Sequence, residues 1–131
     1  MEFRTIVDIP ESPWKIEPCE RMLFIGSCFA DNIGKRFTEE KFRAVVNPYG
    51  VMYNPASILH TVRRLTQDDA MPFSPDEQGT AVMTLGTNHV YILKETGEIV
   101  DNCQKRPQRL FEERELSITE CAAYLDKAIQ L

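Results

Sequence analysis

The fold of this protein follows from "RMLFIGSCFADNIGKRF" (residues 21–37), because the spacing of its apolar residues changes part of the way along. The opening "RMLFIG" (21–26) is a short apolar run closed by a glycine, which predicts a strand buried on both faces. After it, Phe29, Ile33 and Phe37 recur at every fourth position, which predicts a helix with one apolar face. A buried strand that turns directly into a helix is the first part of a strand, helix, strand unit, in which the two strands are parallel.

The remaining chain continues the alternation of strands and helices. We predict strands at 42–47 and 80–86, a helix from Pro55 to near residue 67, a β-hairpin over 89–100, and a last helix that begins with a capping box of Ser117 and Glu120. The apolar stripe of this last helix consists of Ile118, Cys121, Ala122, Leu125 and Ile129. Residues 109–115 are mostly charged and are predicted to be a solvated stretch. This order of elements predicts an α/β protein with a mainly parallel sheet and right-handed crossovers, plus a hairpin.

The first 20 residues are predicted to form an extended arm. The segment "FRTIVDIP" (3–10) alternates apolar and polar residues as an edge strand does, and the prolines that follow indicate a loop. We expect Trp14 to pack the arm against the body. At 131 residues the chain can bury one hydrophobic core but not two, so residues 1–131 are predicted to form a single domain with an arm at 1–20.

The composition excludes several classes of function. The net charge is −5 and the one basic run is Lys105 and Arg106 with Arg109, which argues against nucleic acid as a partner. The chain has no run of 18 apolar residues and no apolar segment at its start, so we expect neither a membrane span nor an export signal, and a cytoplasmic protein. Four cysteines without a C-x-x-C pair and two histidines predict reduced thiols, no metal site and no cofactor.

Residues 26–28 form the bend between the first strand and its helix, and they carry two reactive side chains. The free backbone N–H groups of the first helical turn would stabilise an oxyanion there, which suits acyl transfer by Ser27. The same end of a helix lowers the pKa of a thiol, so Cys28 is also a candidate on chemistry alone. A purely structural interpretation is that Ser27 or Asp31 caps the helix by accepting amide hydrogens.

Four collinear blocks of the chain resemble the GSCFA family. They are "GSCFA" (26–30), "NPYGVMYNP" (47–55), "TLGTNHVYILKETGEIVDNCQKRP" (84–107) and "RELSITE" (114–120). That family is similar in turn to the SGNH/GDSL hydrolases, in which a block after the first strand carries a nucleophilic serine. The resemblance implies a flavodoxin-like, three-layer α/β fold with an esterase-type site, which we expect to be incomplete in this chain.

The resemblance also implies roles for particular residues. Ser27 matches the nucleophile, and its own amide or that of Cys28 would contribute to the oxyanion hole. Gly50, after the second strand, matches the glycine that supplies a second amide, and Asn88 matches an asparagine whose side chain donates as well. The implied substrate is a small acyl ester or an acylated carbohydrate.

The general base is not evident from the sequence. The SGNH relatives supply it from a D-x-x-H segment, which this chain lacks, so the chain is expected to be a fragment or a shortened copy. His60 is predicted to be an ordinary helix residue. His89 follows the third strand at the same edge as Ser27, so it is the candidate base, although an exposed strand histidine is the simpler interpretation.

Three functions are compatible with these observations. The first is ester hydrolysis through Ser27, weak or absent in the shortened chain. The second is a non-catalytic binding or assembly module, in which an uncovered sheet edge leads to a homodimer or to binding of another partner. The third is redox sensing through Cys28.

Overall fold

The computed structural model of the protein describes residues 3–68, 79–101 and 106–131. It is a mixed α/β structure with a parallel sheet and a separate antiparallel sheet, which confirms the predicted class and the hairpin. The elements in chain order are β1 (Arg21–Gly26), α1 (Cys28–Glu39), β2 (Arg43–Val46), α2 (Pro55–Gln67), β3 (Gly79–Thr84), β4 (His89–Leu93), β5 (Ile99–Val100), β6 (Phe111–Glu115) and α3 (Ile118–Ile129).

β1 is the central strand of the parallel sheet, whose order is β2-β1-β3. Arg21 at the start of β1 lies opposite Arg43 of β2 and opposite Gly79 of β3, so the three strands begin together, while β2 ends opposite Phe24 and β3 ends opposite Gly26. Ligands of open α/β sheets bind outside the carboxyl ends of the strands. The end of β1, where Ser27 follows, is therefore at the edge of the sheet at which such proteins bind their ligands.

A hydrophobic cluster covers each face of the parallel sheet. On one face Phe24 of β1 packs with Ala30 of α1. On the other face Ile25 packs with Ile58 of α2 and Ala128 of α3. β1 is therefore buried on both sides, in agreement with its uninterrupted apolar run.

Side-chain caps define where the helices begin. Ser27 Oγ accepts the N–H of Phe29 at 3.3 Å at the start of α1. Asn54 Oδ1 accepts the N–H of Ser57 at 2.9 Å at the start of α2, where Pro55 takes the first helical position as predicted. Local chemistry of this kind explains why the predicted helix boundaries agree with the observed ones.

The capping box of α3 makes stability depend on pH. Glu120 accepts the backbone N–H of Ser117 at 2.8 Å and a hydrogen bond from Arg114 at 2.9 Å, and these contacts hold the pKa of its carboxyl below the usual value. A group with a lowered folded-state pKa stabilises the protein above its unfolded pKa, and this contribution is lost as the pH falls through the folded pKa.

We therefore expect thermal unfolding of the wild type and of Glu120→Gln to differ most above the ordinary glutamate pKa of about 4.3. The difference between the two melting temperatures should shrink as the pH falls from the ordinary glutamate pKa through the lower pKa that Glu120 has in the folded protein. A difference that stays constant from neutral pH into acid contradicts this expectation.

Several predictions about packing are wrong. Trp14 is 80% exposed and does not pack the arm against the body, and residues 3–20 contain no strand. Phe29 is 63% exposed, because α1 buries Ala30 and Gly34 instead. Ile118 and Ile129 in the predicted stripe of α3 are also exposed. Helical spacing predicts which side chains share a face, but a face is buried only if another element covers it.

The charged stretch at 109–115 contains a strand that was not predicted. Phe111–Glu115 form β6, which pairs antiparallel with β4 and has Phe111 opposite Leu93. β6 is an edge strand of the sheet order β5-β4-β6, and its residues after Phe111 are exposed. Its side chains therefore show no apolar alternation from which a strand could be recognised.

The loop predicted at 68–79 lies, except for its two ends, outside the described residues. Within the described ranges, the helices are too short or too polar for any of them to cross a membrane.

Candidate active site

Ser27 lies at the junction of β1 and α1, at the carboxyl edge of the parallel sheet. Its backbone is extended (φ −69°, ψ 179°), and its side chain turns back over the first turn of α1 to accept the N–H of Phe29. The residue is 7% exposed. The hydroxyl predicted to be the nucleophile is thus held at the start of a helix, where the aligned peptide dipoles favour negative charge.

Thr84, the last residue of β3, is the side chain that holds Ser27 in place. Thr84 Oγ1 accepts the backbone N–H of Ser27 at 3.1 Å and lies 3.1 Å from Ser27 Oγ. The amide of Ser27 is therefore occupied. The amide of Cys28 has no hydrogen-bond partner among the described residues, as expected at the first position of a helix. Of the two amides that the family resemblance suggested, that of Cys28 is the one free to bind an oxyanion.

The bend before Ser27 is fixed by Gly26 and Asn47. Gly26 has φ +142°, and its N–H donates to Asn47 Oδ1 at 2.9 Å. Asn47 is buried with φ +40°, and its own N–H donates to the carbonyl of Phe24 at 2.8 Å. The carbonyl of Gly26 accepts the N–H of Met52 at 2.8 Å. Hydrogen bonds from the segment after β2 thus determine where β1 ends and where Ser27 points.

The segment after β3 forms a second side of the site. The N–H groups of Gly86 and Thr87 donate to the carbonyl of Tyr53 at 2.9 and 3.0 Å. A side chain at Gly86 would come within 3.1 Å of the Tyr53 ring and 3.7 Å of Ser27 Cβ. The lack of a side chain at Gly86 therefore leaves space beside the serine.

The other two predicted oxyanion donors are engaged elsewhere. The N–H of Gly50 donates to the carbonyl of Asn47 at 2.9 Å in a turn where Gly50 has φ +97°. The side-chain amide of Asn88 donates to the carbonyl of Leu116 at 3.0 Å. The N–H of Gly50 would have to exchange its present partner before it could bind a substrate oxygen at Ser27, whereas the Asn88 amide has a second hydrogen beyond the one donated to Leu116.

Each histidine is paired with a carboxylate. His89 Nε2 lies 3.5 Å from Glu113 Oε2, across the β4–β6 ladder, and His60 Nδ1 lies 3.1 Å from Asp101 Oδ1. Ser27 Oγ has no hydrogen bond to an imidazole in the described part of the chain. The role of His89 as general base remains a prediction.

Thr84 and Asn47 were not singled out by the sequence analysis. Asn47 follows β2 and Thr84 ends β3, so both lie at the same sheet edge as Ser27. Their position at the ends of neighbouring strands is the sequence feature that could have identified them. Cys28 has an exposed thiol, so redox chemistry there remains an alternative. Within the described ranges, the histidine, cysteine and carboxylate side chains form no group able to hold a metal ion.

These features define an α/β protein with a serine presented between a central parallel strand and the start of a helix. A family model described as GSCFA family matches residues 21–78 and 73–131. The chain therefore belongs to the GSCFA family. Comparisons with curated proteins and with solved structures gave no match.

Proposed function

We propose that this GSCFA-family chain is an ester hydrolase of the SGNH type that acts on a small acyl ester, such as an acylated carbohydrate, through Ser27. The observation that supports this most directly is the unpaired amide of Cys28 next to the Ser27 hydroxyl at the start of α1. Backbone N–H groups in such a position stabilise the negative charge that develops on a carbonyl oxygen.

The reaction has two steps. Ser27 Oγ attacks the carbonyl carbon, its proton passes to a base, and the ester oxygen leaves as an alcohol, which gives an acyl-serine. Water then attacks the acyl-serine and releases the acid. In both steps the carbonyl oxygen becomes negatively charged and would accept the N–H of Cys28. Two neighbouring groups, Phe29 N–H and Thr84 Oγ1, hold Ser27 Oγ in position.

We expect slow turnover, because an unassisted serine is a weak nucleophile. His89 is the base we propose, since Thr87, two residues before it, is bonded to Tyr53 beside the site. To take the serine proton, the imidazole would have to come within hydrogen-bond distance of Ser27 Oγ, and it could keep Glu113 on Nε2 while Nδ1 accepts the proton. The Glu113 carboxylate would then orient the ring, as the third group of a serine, histidine, carboxylate arrangement does.

A flavodoxin-like fold is part of the same proposal. The strand order β2-β1-β3 is the order in which that fold begins. The further proposal that residues 1–131 form one domain is supported by the hydrophobic cluster shared by Ile25 of β1, Ile58 of α2 and Ala128 of α3.

Covalent labelling with a fluorophosphonate probe tests the nucleophile. The wild type should be labelled slowly at one site, and Ser27→Ala should lose the label completely. Ser117→Ala is the matched control, because Ser117 also caps a helix with its hydroxyl, but the helix is α3 and not α1. Equal labelling of wild type and Ser27→Ala, or no labelling of the wild type, would overturn the proposal.

The oxyanion donor can be tested at the same site. Cys28→Pro removes the amide hydrogen at a helix position that proline tolerates, while Cys28→Ser keeps the amide and removes the thiol. We expect Cys28→Pro to lower the labelling rate by about 10²-fold to 10³-fold. Cys28→Ser should label at the wild-type rate, and a loss of labelling in Cys28→Ser would instead assign the chemistry to the thiol.

The general base is tested by the labelling rates of His89→Gln and His60→Gln. The variant with the lower rate identifies the imidazole that takes the serine proton.

A binding or assembly module is the second candidate. It is favoured by the hydrogen bonds of Ser27 Oγ, whose partners among the described residues are Thr84 and Phe29 and neither imidazole. Under this candidate, the residues around Ser27 at the sheet edge would bind an ester or carbohydrate without cleaving it. Binding without labelling or turnover would distinguish it from the hydrolase.

A further inference from the structure

The arm of residues 3–16 exposes more large apolar side chains than any other segment of the described chain. Apolar surface that is continuous on this scale is rare on monomeric proteins and marks an interaction site. Within residues 3–16, the large apolar side chains that are between 70% and 90% exposed are those of Phe3, Ile6, Val7, Ile9 and Trp14.

Residues 3–9 have the properties of a β-strand that lacks a neighbour. Phe3, Val7 and Ile9 would lie on one face of an extended strand, because successive side chains alternate between faces. The segment contains no proline until Pro10, so all of its backbone N–H groups can donate. None of the hydrogen bonds within the described ranges involves the backbone of residues 3–9.

The outer edge of β3 can accept such a strand. β3 is "GTAVMT" (79–84), and its six residues are one fewer than the seven of residues 3–9 and carry no charge. The other strand edges of the described chain are protected, since β2 carries Arg43, β6 is mostly charged, and β5 has two residues. Charges and short strands are the usual means by which proteins prevent pairing at a sheet edge.

We propose that two copies of this protein form a dimer by exchanging arms, with residues 3–9 of each copy added to the edge of β3 in the other. Ala81 and Met83 lie on the face of β3 that is covered by α2, and Ala81 is exposed while Met83 packs against the core. The apolar face of residues 3–9 would cover Ala81 and so extend the hydrophobic core to which Met83 belongs. The inference concerns assembly and does not depend on ester hydrolysis.

A second copy fits the exposed arm better than the same chain does. Pro10, Pro13 and Pro18 follow residues 3–9, and a proline-rich segment acts as a stiff spacer that hinders folding back onto the same sheet. Exchange between two chains also buries both arms. The two copies of Phe3 alone would bury roughly 300–500 Å². The aliphatic side chains and the receiving edges would bring this towards the roughly 1,600 Å² of a stable interface.

The molar mass in solution, measured by sedimentation over a dilution series, tests the proposal. The wild type should be a dimer at micromolar concentration. We test two variants: an arm variant, Val7→Lys with Ile9→Lys, and an edge variant, Ala81→Lys. Each should weaken dimerisation by roughly 100-fold or more, because it places charge in the added strand or at the β3 edge that receives it. Ile118→Lys is the control, because Ile118 is exposed and apolar but belongs to neither surface.

Mixing the two defective variants distinguishes exchange from other modes of dimerisation. The arm variant keeps an intact β3 edge and the edge variant keeps an intact arm, so their mixture should form a heterodimer with one complete contact. A monomeric wild type, a dimer that persists in the arm variant, or a mixture that stays monomeric would each overturn the proposal. Circular dichroism checks that the variants are folded, and the arm variant cannot disturb the core because residues 7 and 9 are exposed. Fluorophosphonate labelling of Ser27 is a separate readout, so failure of either proposal can be identified independently.

Discussion

Gly26→Ala is expected to prevent stable folding. Gly26 has φ +142°, a conformation that residues with a side chain rarely adopt, and a Cβ there would lie 2.9 Å from the Thr84 backbone nitrogen and closer still to its carbonyl oxygen. Backbone strain of this kind costs about 1–3 kcal/mol. Overpacking against a backbone adds about 1–3 kcal/mol more. Together these costs are comparable to the stability of a marginal domain, which is about 5 kcal/mol.

Urea unfolding followed by circular dichroism measures this effect. Gly97→Ala is the matched control, because Gly97 also has positive φ (+70°) but nothing lies within 4 Å of the position of its Cβ. We expect the control to lose about 1 kcal/mol, which is the conformational cost alone. If Gly26→Ala unfolds at the same urea concentration as Gly97→Ala, the close approach of β1 to Thr84 is not as described, and neither is the position of Ser27.

Phe24→Ala is expected to destabilise the protein by about 3–5 kcal/mol. Phe24 is in the central strand with 1% of its surface exposed, and its ring packs on that of Phe37 at a centroid distance of 5.4 Å. Removal of the ring leaves a cavity between the sheet and α1 that the surrounding side chains can fill only in part. The free energy of unfolding from urea titration gives the magnitude directly.

Phe29→Ala is the control for the loss of a phenylalanine. Phe29 is exposed at the start of α1, and its contribution to the cap is made by its backbone N–H, which alanine keeps. Its free energy of unfolding should stay within about 0.5 kcal/mol of the wild type, as for most surface substitutions. A loss in Phe29→Ala as large as that in Phe24→Ala would mean that the wrong face of α1 had been assigned to the core.

The position of the candidate nucleophile could be predicted from the sequence, whereas its surroundings could not. Ser27 follows an apolar run and precedes a helical repeat, so its place between a strand and a helix is a local property. Its contact with Thr84 joins residues 57 positions apart, and the contact between Gly26 and Asn47 joins residues 21 apart. These partners depend on which strands are neighbours in the sheet and on their register, which local patterns do not report.

The histidines illustrate the same limit. A sequence can show that His60 and His89 exist and that no D-x-x-H segment does. It does not show that Asp101 would meet His60, or that β6 would place Glu113 beside His89. The second contact depends on a strand that was not predicted, because its exposed, charged side chains lack the alternation on which strand prediction relies.

The amino-acid sequence alone was sufficient for the order of the helices and of strands β1 to β5, for the starts of the helices at Ser117 and Pro55, and for the family. These features depend on residues within a few positions of one another, so they can be predicted without knowing how the rest of the chain folds. Burial was different, as Gly34 shows: its missing side chain weakens a helix in isolation, yet a Cβ there would be 2.6 Å from Val46. The exposure of Ile118 is the converse case, because an apolar face is buried only when another element comes to cover it, and that requires contacts between distant parts of the chain.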